Sequence, residues 1–291
     1  MIPIFLGVLA TAMLAVLNRR RIGRLVELEY ASQFPPDVNG IAAGAEGYVL
    51  AAKTGRGLLM LHGSGDSPQS LRYLATELHA AGYDVHVPLL PGHGRSPIAF
   101  AATGAADYRA AAANALEQMA ESHTWVGVIG LSMGAALAAS AVSTSTRVDA
   151  LVLLAPYMIP PPVVRAANRV APLWSVLVPY LRGRGDDSIH DADARGQSRA
   201  YGTFSKGGLG ALVATADDGF RALRHVRVPT LVINSTQDNR IPRELAERVM
   251  EEITAPLEQH WLEGCGHVIT VDYCKDEVAK LVLAFLARHA G

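Results

Sequence analysis

Trp125-Val126-Gly127-Val128-Ile129-Gly130-Leu131-Ser132-Met133-Gly134 is an apolar run that closes on a Gly-x-Ser-x-Gly pentapeptide, and Ala135-Ala136-Leu137-Ala138-Ala139 follows at once. Residues 125–131 are apolar without alternation, the mark of a strand buried on both faces, whereas residues 134–143 are rich in alanine and read as a helix. Only the pentapeptide joins the two, so the chain must turn sharply there. Glycines at 130 and 134 leave out the Cβ atoms that would collide in such a turn, and Ser132 is presented at the carboxyl end of the strand. Ser132 is therefore the candidate nucleophile.

Strand-like and helix-like segments alternate on both sides of this turn. Residues 57–61, 83–89 and 149–155 read as strands and 68–81 and 106–122 as helices; further on, 229–234 and 257–262 read as strands and 242–253 and 273–289 as helices. This order predicts an α/β fold, a mostly parallel sheet flanked by helices. The pattern breaks over residues 157–221, which open with Pro160-Pro161-Pro162 and hold Trp174, Tyr180, Tyr201 and Phe204; a small helical cap insertion is expected there. The core is then 45–156 together with 222–291. Residues 19–44, with Pro35-Pro36 and scattered glycines, read as a linker.

With 26 Lys+Arg against 27 Asp+Glu the 291-residue chain carries a formal net charge of -1, so it has no basic surplus for a nucleic-acid backbone. Nucleic acid is excluded as an expected partner. The two cysteines, Cys265 and Cys274, make neither a C-x-x-C pair nor a four-ligand cluster; neither a disulfide framework nor a metal site is expected, and nothing points to a cofactor. Oligomeric state is left open.

Ile2 to Leu17 is a run of 16 uncharged residues followed by Asn18-Arg19-Arg20-Arg21 and by Arg24. As a helix the run would span about 24 Å, short of the roughly 30 Å hydrocarbon core. No positive region precedes it, which disfavours a secretory signal, and the arginines on its C-terminal side favour a cytoplasmic location for the domain beyond them. The expectation is a transmembrane anchor over residues 1–18 with a cytoplasmic catalytic domain; a soluble or secreted chain is the alternative.

A serine hydroxyl needs a base to accept its proton and a third group to orient that base. After a strand-turn-helix nucleophile these come in the order acid, then histidine, at the ends of later strands. His267, in the loop Gly264-Cys265-Gly266-His267 after the last strand, is the expected base; His190 and His225 lie in or beside the cap, His260 within a strand and His289 at the C-terminus. Asp238 stands just beyond the strand Thr230-Leu231-Val232-Ile233-Asn234 and is the expected acid, ahead of Asp217, Asp218, Glu263 and Asp272, the last read as a cap of the final helix. The oxyanion formed on attack requires two backbone amides, expected from Met133, next to the nucleophile, and from Ser64 in His62-Gly63-Ser64-Gly65.

Taken together, His62-Gly63-Ser64-Gly65-Asp66-Ser67-Pro68, Leu90-Pro91-Gly92-His93-Gly94-Arg95-Ser96, the Ser132 pentapeptide, Asp238 and Gly266-His267-Val268-Ile269-Thr270 resemble the α/β-hydrolase family. Within it they look most like the bacterial carboxylesterase and monoacylglycerol lipase group. The resemblance covers residues 45–291 and implies medium-chain or monoacylglycerol-like esters as substrates, cleaved through an acyl-serine. It also implies a structural role for His93. A thioesterase or acyltransferase would use the same triad, and a non-catalytic, membrane-tethered binding module is the alternative outside enzymology.

Overall fold

The computed structural model describes residues 2–183 and 188–290. Its centre is a seven-stranded sheet of β1 (Tyr48–Leu50), β2 (Arg56–Leu61), β3 (Asp84–Val87), β4 (Trp125–Leu131), β5 (Ala150–Leu154), β8 (Thr230–Ser235) and β9 (Leu257–Leu262). The order is β1-β3-β2-β4-β5-β8-β9, with β1 antiparallel to β3 and every other pair parallel. Every residue of β4, β5 and β8 is buried, as strands covered on both faces should be, whereas the edge strand β9 keeps partly exposed side chains.

The helices that cover the sheet are α2 (Arg72–Ala80), α4 (Ala105–Ser122), α5 (Met133–Ser143), α10 (Arg243–Glu251) and α11 (Lys275–His289); α9 (Lys206–Leu223) packs on α5, α4 and the short α3 (Pro97–Ala102). Alanine and glycine let α5 approach α9 closely: a Cβ on Gly219 would lie 2.5 Å from Ala136 Cα. Residues 157–221 hold two kinds of element. The short helices α6 (Pro162–Arg169), α7 (Ala171–Leu177) and α8 (Ala192–Gln197) and a separate antiparallel pair, β6 (Tyr180–Arg182) with β7 (Thr203–Ser205), lie outside the main sheet. By contrast, α9 is the partner of α5, and its Asp217 and Asp218 pair with Arg165, Arg109 and Arg221.

Three expectations are corrected here. The helix α1 (Ile2–Gln33) runs unbroken through Asn18 and the arginines, so residues 19–33 are helical and not a linker. Its second half packs on the domain: Gly23 is buried beside Ile98, and the Tyr30 hydroxyl donates to the Arg199 carbonyl. Among the described residues no helix is long and apolar enough to cross a membrane, which overturns the anchor over residues 1–18 and the location and membrane partner inferred from it. The side chains of residues 2–12, which make up most of the apolar run, lie outside the described residues. Finally, Cys265 and Cys274 are bonded to each other, Cα to Cα 5.8 Å. Their spacing of nine residues concealed this, because only the doubling back of the loop brings them together.

That disulfide brackets His267. Closing so short a loop is worth about 2 to 3 kcal/mol in the chain-entropy model. Replacing both cysteines with serine is expected to lower the unfolding free energy obtained from denaturant titration by a matching amount; a value unchanged between variant and parent would show that the bond carries no stability.

Candidate active site

Strand β3 lies on one side of β2 and β4 on the other, so the chain reverses its direction of winding between β2 and β4. Loops leaving the carboxyl ends of two such strands separate and open a crevice. Leu61 pairs with Gly130 in the ladder, which sets His62-Gly63 beside Leu131-Ser132.

Ser132 itself has φ 57° and ψ -117°, a conformation that a residue bearing a Cβ adopts only under constraint. The constraint is visible: its amide donates to the Leu154 carbonyl at 2.9 Å, and its carbonyl accepts from the Tyr157 amide at 3.2 Å. Close packing explains the flanking glycines. A Cβ on Gly134 would stand 2.0 Å from the Leu61 carbonyl oxygen, and one on Gly130 would stand 2.3 Å from the Gly134 carbonyl oxygen.

The loops after β8 and β9 bring Asp238 and His267 to this serine. His267 Nε2 lies 2.8 Å from Ser132 Oγ, and its Nδ1 lies 2.7 Å from Asp238 Oδ2. The other Asp238 oxygen accepts from the amides of Arg240, at 2.7 Å, and Ile241, at 2.9 Å. Burial disfavours the charge on Asp238, but neighbouring His267 and those two amides outweigh it, and the carboxyl is held below its usual range. An ionised carboxylate accepts Nδ1–H and leaves Nε2 free to accept from the serine hydroxyl.

Met133 opens α5, so its amide has no acceptor within the helix. Ser64 lies in the loop leaving β2, whose Gly63 is close enough that a Cβ there would sit 3.4 Å from Ser132 Cβ. Among the described residues neither amide donates to a protein acceptor. The loop is secured by His62 and Tyr201, whose part was not apparent from sequence, and by His93, for which the resemblance implies a structural role. His62 accepts from the Leu90 amide at 3.1 Å and faces its own loop's Gly63 carbonyl; His93 accepts from the Gly65 amide at 3.0 Å and faces the Pro91 carbonyl. Burial pushes both imidazoles down, His93 to about 4, so both stay neutral and keep the lone pair that these amides need. From residues beyond the sheet, the Tyr201 amide donates to the Gly65 carbonyl, and its hydroxyl bridges the Gly92 carbonyl and the Arg95 amide. Asp66, in the same loop, is pushed up to about 6 by loss of hydration, against the pull of the Ser70 hydroxyl, the Ser67 amide and His267.

The competing acids are placed elsewhere. Glu263 is exposed, and Asp217 and Asp218 lie on α9 in ion pairs. Asp272 does not cap α11, whose first turn follows Cys274; its buried carboxylate instead accepts backbone amides of the His267 loop.

The sequence model described as the alpha/beta hydrolase family matches residues 58–281. A carboxylesterase of Bacillus subtilis (strain 168) is 25% identical over 241 residues, covering 80% of this chain and 93% of that protein. A thermostable monoacylglycerol lipase of Bacillus sp. (strain H-257) is 26% identical over 252 residues, 86% of this chain and 98% of that one. Among solved structures, that of a metagenome-derived lipolytic enzyme superposes with a TM-score of 0.78 at 29% identity, covering 86% of this chain and all (100%) of the other.

Proposed function

Since the chain belongs to the alpha/beta hydrolase family, we propose that it is a serine esterase that cleaves carboxylic esters, short to medium-chain or monoacylglycerol-like, through an acyl-Ser132 intermediate. The observation that carries this reading is the continuous hydrogen-bonded relay from Ser132 Oγ through His267 to Asp238. Similarity to a carboxylesterase, a monoacylglycerol lipase and a lipolytic enzyme supports the ester as substrate.

In the first half-reaction Ser132 Oγ bonds to the ester carbonyl carbon as its proton passes to His267 Nε2. The resulting oxyanion accepts hydrogen bonds from the amides of Met133 and Ser64, the first also at the positive end of the α5 dipole. When the carbon–oxygen bond to the alcohol breaks, the leaving oxygen takes the proton back from Nε2. Water then repeats the sequence on the acyl-serine: His267 accepts its proton, the hydroxide adds, and Ser132 departs reprotonated with the carboxylic acid released.

A fluorophosphonate probe is expected to label the protein once, on Ser132, as read by intact mass and peptide mapping. No adduct, or an adduct on another residue, would overturn the reading. The acid has its own test. Asp238→Asn keeps the shape but presents an amide to Nδ1, favouring the tautomer with the proton on Nε2; kcat for nitrophenyl esters is expected to fall about 10⁴-fold. A loss below tenfold would remove Asp238 from the relay.

A further inference from the structure

The loop that carries His267 is built around Asp272, a side chain with 0% exposure. Both of its oxygens are saturated by backbone amides: Oδ2 accepts from Gly266 at 2.7 Å and His190 at 2.8 Å, and Oδ1 from Asp191 and Tyr273, each at 2.9 Å. Four N–H donors account for every acceptor site that a carboxylate offers, and no cation pairs with it among the described residues. Two of the donors belong to the His267 loop itself. The other two come from residues 190–191, outside the sheet and more than 70 positions earlier in the chain, at separations of 82 and 81.

The same outlying segment touches the relay at two further points. The Ser188 carbonyl accepts from the amide of Val268, the residue after the base, at 3.0 Å. Its hydroxyl lies 3.1 Å from Asn239 Oδ1 and 2.9 Å from Arg240 Nε, in the loop that carries Asp238. Residues 188–191 thus bridge the acid loop and the base loop, and Asp272 is the group on which the bridge converges.

We propose that Asp272 is the positioning residue for His267: its carboxylate ties the amide preceding the base to the 190–191 segment, so that the imidazole is aligned on Ser132 only while that segment is docked. The proposal rests on the reading of His267 as the base. It assigns residues 188–191 a part in catalysis without contact with substrate. A displacement of about 1 Å in such a relay lowers rate by about a hundredfold, whereas binding of substrate is left to other groups.

Two pairs of measurements test it. Asp272→Asn replaces one acceptor oxygen with a donor that confronts two N–H groups. It is expected to slow fluorophosphonate labelling and lower kcat by about tenfold to a hundredfold with KM within about twofold, and to shift or broaden the low-field proton resonance of His267 Nδ1–H. Asp191 has φ -65°, which proline adopts, so Asp191→Pro deletes one donor to Asp272 while leaving the carboxylate in place. Asp191→Ala keeps that amide and loses only the side chain that caps α8, and is the control. Slower labelling in Asp191→Pro than in Asp191→Ala supports the proposal. It is overturned if Asp272→Asn, folded by circular dichroism, labels at the parental rate, or if the proline and alanine variants label alike; the second comparison decides should Asp272→Asn not fold. A parent that takes no label, yet whose Nδ1–H resonance shifts in Asp272→Asn, would instead reject the esterase reading while leaving the clamp.

Discussion

Ser132→Ala is expected to lower kcat for nitrophenyl ester hydrolysis by about 10⁵- to 10⁶-fold, the scale on which loss of an activated serine is felt. Alanine retains the Cβ, so the backbone at φ 57° is no more strained than before, and the bonds to Leu154 and Tyr157 involve only backbone atoms. Removing Oγ breaks a single side-chain interaction, that with His267 Nε2. The melting temperature should accordingly change little, and KM should stay within a few-fold. Residual turnover would come from the oxyanion donors acting on water attack. Release of nitrophenol by the purified variant, measured beside active-site-titrated parent, decides the matter: a variant within tenfold of the parent would place the nucleophile elsewhere.

His267→Ala is expected to cost a similar factor, about 10⁶-fold in kcat, because neither the serine proton nor the proton of the deacylating water then has an acceptor. Unlike the serine variant it should also lose stability. The side chain of Asp238 is only 3% exposed, and His267 is the neighbour that most strongly favours its charge against burial. Without the imidazole two amides remain to satisfy the carboxylate. An unmet hydrogen bond of this kind costs on the order of 1–3 kcal/mol. The sign with pH is set by the depressed folded-state pKa: the carboxylate contributes stability above its unfolded value, near about 3.9, and loses it as pH falls through the folded value. The stability deficit of His267→Ala should therefore be present at neutral pH and narrow only in acid, where Asp238 is protonated in both proteins. A fluorophosphonate labelling rate equal to the parent's would exclude His267 as the base, and a deficit independent of pH would exclude Asp238 as the origin of the stability loss.

The arrangement between the sheet and its loops explains why these effects concentrate in so few residues. Ser132, Asp238 and His267 each follow a strand at its carboxyl end, on β4, β8 and β9, and each loop is held by bonds that do not depend on the reacting atoms. Rigid strands fix the origin of each loop, and backbone amides and carbonyls fix its path. The neutral imidazoles of His62 and His93 do for the Ser64 loop what Asp272 does for the His267 loop.

The local sequence by itself determined those parts whose cause is local. Residues 125–131 form a strand with the bounds read from their unbroken apolar run, and the mostly parallel sheet follows from the alternation of segments, because burial on both faces writes itself into consecutive residues. The turn at Ser132 is legible for the same reason in Gly130, whose collisions arise within a few residues of the serine, whereas Gly134 is demanded by the end of β2, distant along the chain. What only the tertiary structure decided depends on groups distant along the chain. The unbroken course of α1 to Gln33 depends on packing of Gly23 and Tyr30 against residues 98 and 199–201, which no window of sequence around Arg19 contains. The bond between Cys265 and Cys274 requires the loop to double back, and Asp272 looks like a helix cap until amides from 190 and 191 are seen to reach it. Periodicity and turn chemistry are short-range, and they report where a strand or a sharp bend must be; hydrogen bonds to backbone amides can come from anywhere in the chain and leave no pattern in the residues that donate them.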